Sequence, residues 1–252
     1  MTLQSHEGLL GNRTVRWRET GSGPAVVVAP GLGLTGRFYE RNAPAFAKAG
    51  YRFIVPDMPS LGGTRGARTG TGVQQNAQFL ISFLDLLGLQ RVHWIGHSLG
   101  AQHALRAAVI EPARARSMCL AGPTGGHRQR AARILHQAAG IAHEALIAGP
   151  RVVGAVLRDY VRVSPVAYLG TWLRASPDEP ERDLRALQCP VLFIVGTNDR
   201  VADRTYVERL ARNVQGARIA WLRGGGHALP RSAADDFNDA VIGFLQAVDR
   251  AR

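Results

Sequence analysis

Six short apolar runs, bounded by glycine or proline and separated by stretches of helical periodicity, constrain this chain more than any other feature. They are AVVVAP (25–30), RFIVP (52–56), RVHWIG (91–96), RSMCLAG (116–122), PVLFIVG (190–196) and ARIAWL (217–222). Continuous apolar runs of this length read as strands buried on both faces of a parallel sheet. Between them, VQQNAQFLISFLDLLG (73–88) carries apolar residues at three- and four-residue spacing and ends in glycine, which predicts a helix and its stop. LGAQHALRAAVI (99–110) is alanine-rich and uninterrupted, and RTYVERLARN (204–213) and DDFNDAVIGFLQAVDR (235–250) are amphipathic. Strand alternating with helix implies right-handed crossovers and a sheet covered on both faces. RTVRWRET (13–20) alternates with period two and predicts an antiparallel strand added at the edge. The expected fold class is α/β, a doubly wound, mostly parallel sheet of about eight strands.

One segment breaks the rhythm. From Gly125 to about Leu184 there is no strand pattern. Two or three helices are expected instead, punctuated by Gly149-Pro150 and Ser164-Pro165. A helical insertion between two core strands predicts a lid. The chain then divides into a core of 1–124 and 186–252 and a lid of 125–185, and its 252 residues suit one such core.

The formal net charge is +12, and a basic surface can serve nucleic acid or anionic membranes. Here all but one of the 31 basic residues are arginine, the exception being Lys48. They are scattered without the basic run that such sites show. Arginine used almost to the exclusion of lysine points to coding bias in a GC-rich genome, and no nucleic-acid partner is expected. Arg151, Arg158, Arg162 and Arg174 leave room for an anionic substrate under the lid. No apolar run reaches the ~18 residues of a membrane span. The first residues lack a basic start followed by an apolar core, so a cytoplasmic protein is expected. Cys119 and Cys189 lie in strand-like runs and read as buried thiols.

Within WIGHSLG (94–100), Ser98 stands two residues from Gly96 and from Gly100, with a strand before it and a helix after it. Serine there is an ordinary helix N-cap or a nucleophile on a tight strand-to-helix turn. The turn reading gains weight from two later strand ends. PVLFIVG is followed by TNDR, which places Asp199 just past its strand, and ARIAWL by RGGGHALP, which places His227 on a glycine-rich loop. A serine hydroxyl needs a base, and the base needs an orienting acid. Asp203 competes with Asp199 for the acid role and is the better-placed helix cap. The order Ser98, Asp199, His227 is the Ser…Asp…His order of one hydrolase class.

Over nearly its whole length the chain resembles the α/β-hydrolase fold family, in its esterase and haloperoxidase-like branch. The similar segments are GSGPAVVVAPGLGLTGRFY, RFIVPDMPSLGGT, VHWIGHSLGAQ, CPVLFIVGTNDRV, GGGHALP and FNDAVIGFL. The resemblance implies an oxyanion hole from the backbone N–H groups of Leu32 and Leu99, and a lid inserted after the sixth core strand. It also argues against epoxide and haloalkane chemistry, which in this family requires a carboxylate where Ser98 stands. Pro30, Ser60 and Ala101 depart from the family's commoner His, Gly and Gly.

The expected reaction is acyl transfer to water from a small or medium carboxylic ester, lactone or thioester. Alternatives with the same residues are carbon–carbon cleavage of a diketone, a non-hydrolytic biosynthetic step, a perhydrolase side activity, or ligand binding without turnover. Phe38, Tyr160, Tyr168 and Trp172 are pocket candidates by position. His97, His93 and His103 read as structural, and Asp57 as a loop brace. His136 and His143 share a helical spacing without a third ligand, so no metal and no cofactor are expected. The expected partner is a small-molecule acyl substrate, the chain acting as monomer or homodimer.

Overall fold

The computed structural model describes residues 2–251 apart from 126–138, 141, 145, 148 and 162. Its strands are β1 (Gln4–Leu10), β2 (Arg13–Thr20), β3 (Ala25–Ala29), β4 (Arg52–Pro56), β5 (Val92–His97), β6 (Ala115–Ala121), β7 (Val191–Gly196) and β8 (Arg218–Leu222). They form one sheet in the order β1-β2-β4-β3-β5-β6-β7-β8. β1 and β2 are antiparallel to their neighbours, and all pairings from β4 to β8 are parallel. The chain leaves β3 toward β4 and returns past β3 to β5, so β3 and β5 flank the point where the winding reverses. Open α/β sheets bind ligands at the carboxyl ends of strands at such a point.

Alternation along the strands divides the core into two layers. Trp94, Met118 and Phe193 pack with α2 (Val73–Leu86), α3 (Leu99–Ile110) and α7 (Arg204–Ala211). Ile95, Cys119 and Ile194 pack with α1 (Ala43–Lys48) and α9 (Ala234–Arg250). Both cysteines are buried and neither is in a disulfide, and burial pushes the Cys119 thiol up.

Residues 13–20 form the expected antiparallel strand but not the edge. β1 pairs outside β2, from Gln4 opposite Glu19 to Leu10 opposite Arg13. β1 is half-exposed along its length and carries Ser5, His6 and Gly8, so its apolar alternation is too weak to read. The readable signal was the two-residue Gly11-Asn12 loop, with Gly11 at φ 60°.

Between β6 and β7 the described residues contain no strand. They form α4 (Gly149–Tyr160), α5 (Pro165–Ala175) and α6 (Pro180–Ala186), and residues 142–144 are helical as well. The proline signals open helices: Pro150 is the second residue of α4, and Ser164 caps α5 by accepting from Ala167 N at 3.5 Å. A short helix, α8 (Leu229–Ser232), follows β8. Among the described residues no helix is long and apolar enough to cross a membrane.

Phe83 is fully buried, edge-on to Trp17 at 5.7 Å and stacked on Phe79 at 6.2 Å. Phe83→Ala should lower unfolding free energy by about 3–5 kcal/mol, measured by urea denaturation.

Candidate active site

The turn at Ser98 is set by contacts that only glycine tolerates. A Cβ at Gly100 would lie 2.0 Å from the Ala29 carbonyl oxygen, and one at Gly96 would lie 2.5 Å from Ala101 Cα. With α3 pressed this closely on β3, the chain passes from strand to helix in one residue. Ser98 takes φ 54°, ψ −122°, a strained conformation for a side chain-bearing residue. Its Oγ is thereby lifted above the sheet.

His227, on the loop after β8, has Nε2 2.8 Å from Ser98 Oγ and Nδ1 2.9 Å from Asp199 Oδ2. The other Asp199 oxygen accepts from Val201 N at 2.8 Å and Ala202 N at 2.9 Å. The carboxylate can only accept, so Nδ1–H donates to it and Nε2 is left to accept from the Ser98 hydroxyl. Burial opposes the ionised carboxyl of Asp199, but His227 and the two amides outweigh it and hold its pKa below the usual carboxylate value. Burial likewise opposes a charged His227, but the charge and hydrogen bond of Asp199, with a smaller contribution from Glu144, raise its pKa. Asp203 instead caps α7, accepting from Tyr206 N at 2.9 Å.

His97 does more than fill space. Its Nε2 is 3.1 Å from the His227 carbonyl and its Nδ1 2.9 Å from Tyr39 Oη, which also accepts from Gly31 N at 3.3 Å. Burial, then the neighbouring His227, depresses its pKa to about 3, so the ring is neutral. The carbonyl requires Nε2–H, which makes Nδ1 the acceptor of the Tyr39 hydroxyl. One chain of hydrogen bonds thus joins the loop after β3 to the loop of His227.

Leu32, in that β3 loop, and Leu99, first residue of α3, line the cavity with Ser98. A helix-first amide has no carbonyl four residues back to bond. Farther along the same loop, Thr35 N and Oγ1 both donate to the buried Asp159 of α4, at 2.9 and 3.0 Å. Asp57 braces its own loop, accepting from Gly63 N at 2.8 Å, and burial pushes its carboxyl up. Ser60 holds φ 69°, a conformation glycine adopts freely. His93 bonds Ser117 at 2.8 Å and His103 bonds Asn76 at 3.1 Å, both inside the core.

The cavity above Ser98 has a volume of about 360 Å³. The four aromatic candidates, Phe38, Tyr160, Tyr168 and Trp172, all line it, and Val152, Val156 and Leu157 of α4 add to its apolar wall. Among the described residues no arginine or lysine lines it. Arg151 and Arg158 are absent from the lining, and Arg174 is bound to the Thr69 carbonyl at 2.5 Å. The anionic-substrate expectation therefore finds no support at these positions, because the cationic ends of α4 and α5 do not border the cavity. Arg162 and His136 lie outside the described residues. Among the described residues no group of three or more His, Cys, Asp or Glu side chains could hold a metal ion.

Sequence reading missed Tyr39, Glu144 and Asp159, and took His97 only as packing. A signal for two of them was available: Glu144 is the one acidic residue between Glu111 and Asp159. Carboxylates that scarce in an otherwise basic stretch are candidates for a specific contact.

Residues 26–240 match the alpha/beta hydrolase family. The chain is 28% identical over 257 residues to the polyketide synthase ThaQ of Burkholderia thailandensis, a match covering 92% of this chain and 12% of that protein. It is 38% identical over 122 residues to a 2-hydroxy-6-oxononadienedioate/2-hydroxy-6-oxononatrienedioate hydrolase of Paraburkholderia phymatum, covering 46% of this chain and 42% of that one. A thermophilic esterase from Thermogutta terrifontis superposes with a TM-score of 0.84 at 19% identity, over 97% of this chain and 99% of that one.

Gly100→Ala should destabilise the fold by at least about 1–3 kcal/mol through the clash with the β3 carbonyl. Gly243→Ala, in α9 with nothing within 4 Å, should stabilise it by about 0.5–1 kcal/mol. Urea titration of the pair reads the opposite signs.

Proposed function

The chain belongs to the alpha/beta hydrolase family, and on that premise we propose that it is a serine hydrolase. Its substrate is a small or medium, uncharged carboxylic ester, lactone or thioester, cleaved through an acyl-enzyme. The observation that carries this reading is the hydrogen-bonded series Asp199–His227–Ser98, ending at an apolar cavity.

In this mechanism His227 Nε2 takes the Ser98 proton as Oγ attacks the carbonyl carbon. The N–H groups of Leu32 and Leu99 receive the developing oxyanion, a role in which losing one donor typically costs about 10²–10³ in rate. The imidazolium then protonates the departing alcohol or thiol, and water repeats the cycle on the acyl-enzyme. Asp199 keeps the imidazole in one tautomer and stabilises its charged form. Residues 125–185 act as the lid, with α4 and α5 closing the cavity above Ser98.

The apolar lining supports a neutral acyl group over a carboxylate- or phosphate-bearing one, since a buried charge needs a partner. The same argument weighs against substrates of the kind named for the Paraburkholderia relative, dienedioates and trienedioates that carry two carboxylates.

A fluorophosphonate should add once to the intact wild type and not to Ser98→Ala, read by intact-protein mass. Ester hydrolysis should fall at least about 10³-fold in that variant, with p-nitrophenyl esters of increasing acyl length locating the preferred size.

The base works only when neutral, and its folded pKa is raised. Activity is therefore lost as pH falls through that raised value. The acid limb of kcat/KM should inflect above the ordinary imidazole value of about 6.5.

A further inference from the structure

His227 carries the base on a loop that must hold its ring between two partners. Its backbone is gripped from both sides. The carbonyl accepts from His97 Nε2, which belongs to the core strand β5. The amide is gripped from elsewhere: Glu144 Oε2 accepts from His227 N at 2.5 Å, and Oε1 accepts from Ala228 N at 2.8 Å. One carboxylate therefore spans two successive amides of the base loop. The approach is close enough that a Cβ on Gly226 would fall 2.2 Å from Oε2. Glu144 comes from the helical residues between β6 and α4, far in sequence from the core strands, and it also lines the cavity.

We propose that Glu144 is a positioning residue for the base. Its carboxylate aligns His227 by clamping the two amides of its loop, and so makes alignment of the base depend on docking of the inserted segment. The inference rests on the reading of His227 as general base. Two charge-assisted bonds to backbone amides are stronger and more directional than neutral ones. A misplaced base loses rate steeply, because proton transfer needs hydrogen-bond reach. The same carboxylate also adds negative charge near the ring. The titratable groups facing that ring are Asp199 from the β7 loop, His97 from β5 and Glu144 from the insertion, with Ser98 at Nε2.

The test uses the full chain and a fluorophosphonate, whose rate of addition to Ser98 is followed by intact mass across pH. In Glu144→Gln the side chain keeps its shape, loses its charge and turns an N–H₂ group toward one of the two amides. Its plateau rate should fall about tenfold, and its acid limb should move down by roughly half a pH unit. Glu144→Asp keeps the charge but is too short to span both amides. Its plateau should fall while its limb stays at the wild-type position. This variant carries the test if the glutamine variant does not fold.

A merely structural role would alter thermal stability and leave both the plateau and the limb of the surviving folded protein unmoved. Wild-type plateau and wild-type limb in a folded Glu144→Gln, or a wild-type plateau in Glu144→Asp, overturns the proposal. If the folded wild type takes no adduct at any pH, the serine hydrolase reading fails and the role of Glu144 fails with it. If the wild type labels while the variants match it, only the role of Glu144 fails.

Discussion

The contact between Gly100 of α3 and the carbonyl at the end of β3 is the constraint on which the rest of the site depends. It sets the distance between a helix and the strand it packs on, and it leaves one residue in which to change from one to the other. Ser98 is that residue, and its left-handed φ follows from the packing. The strain is local and is held by the two core layers, which bury β3 and β5 completely. A loop with side chains at 96 and 100 could not bring Ser98 to the same place.

Around this rigid turn the other groups are carried on loops, and each loop is tied by side chains of other elements. The loop after β3 is tied by Tyr39 near Gly31 and by Asp159 at Thr35. The loop of His227 is tied by His97 and Glu144. Two of these ties, Asp159 and Glu144, come from the segment between β6 and β7. That segment therefore does more than wall the cavity, because its carboxylates stand in for the neighbouring strands that loops lack.

The sheet core was legible because buried parallel strands write themselves as continuous apolar runs. The six runs correspond to β3 to β8 with shifts of a residue at their ends, but β8, read as buried on both faces, lies at the sheet's edge and is only half-buried. β1 was not legible: its half-buried face carries His6 and Gly8 beside Leu10, so the alternation of burial is not written as an alternation of apolar residues. Ser98, Asp199 and His227 could be picked out because each follows a strand end, a position readable without knowing distances. The ties could not be picked out. Asp159 and Glu144 meet Thr35 and His227 across separations of 124 and 83 residues, and nothing in local periodicity encodes such a meeting. The arginines misled because they were weighed without their helix face: Arg151 and Arg158 lie on the exposed side of α4, while Val152 and Ala155 turn inward.

The chain from Gly31 through Tyr39 and His97 to the His227 carbonyl has a direction. Every donor in it points from the β3 loop toward the loop of His227, because its two ends are a fixed amide and a fixed carbonyl. Reversing it would leave both ends facing the wrong partner. A second proton on His97 would break it, but burial defers that proton to about pH 3. The frame that spaces the two loops is consequently deaf to acidity across the range in which His227 gains and loses its own proton. Geometry and protonation are thereby kept on separate controls within one small site.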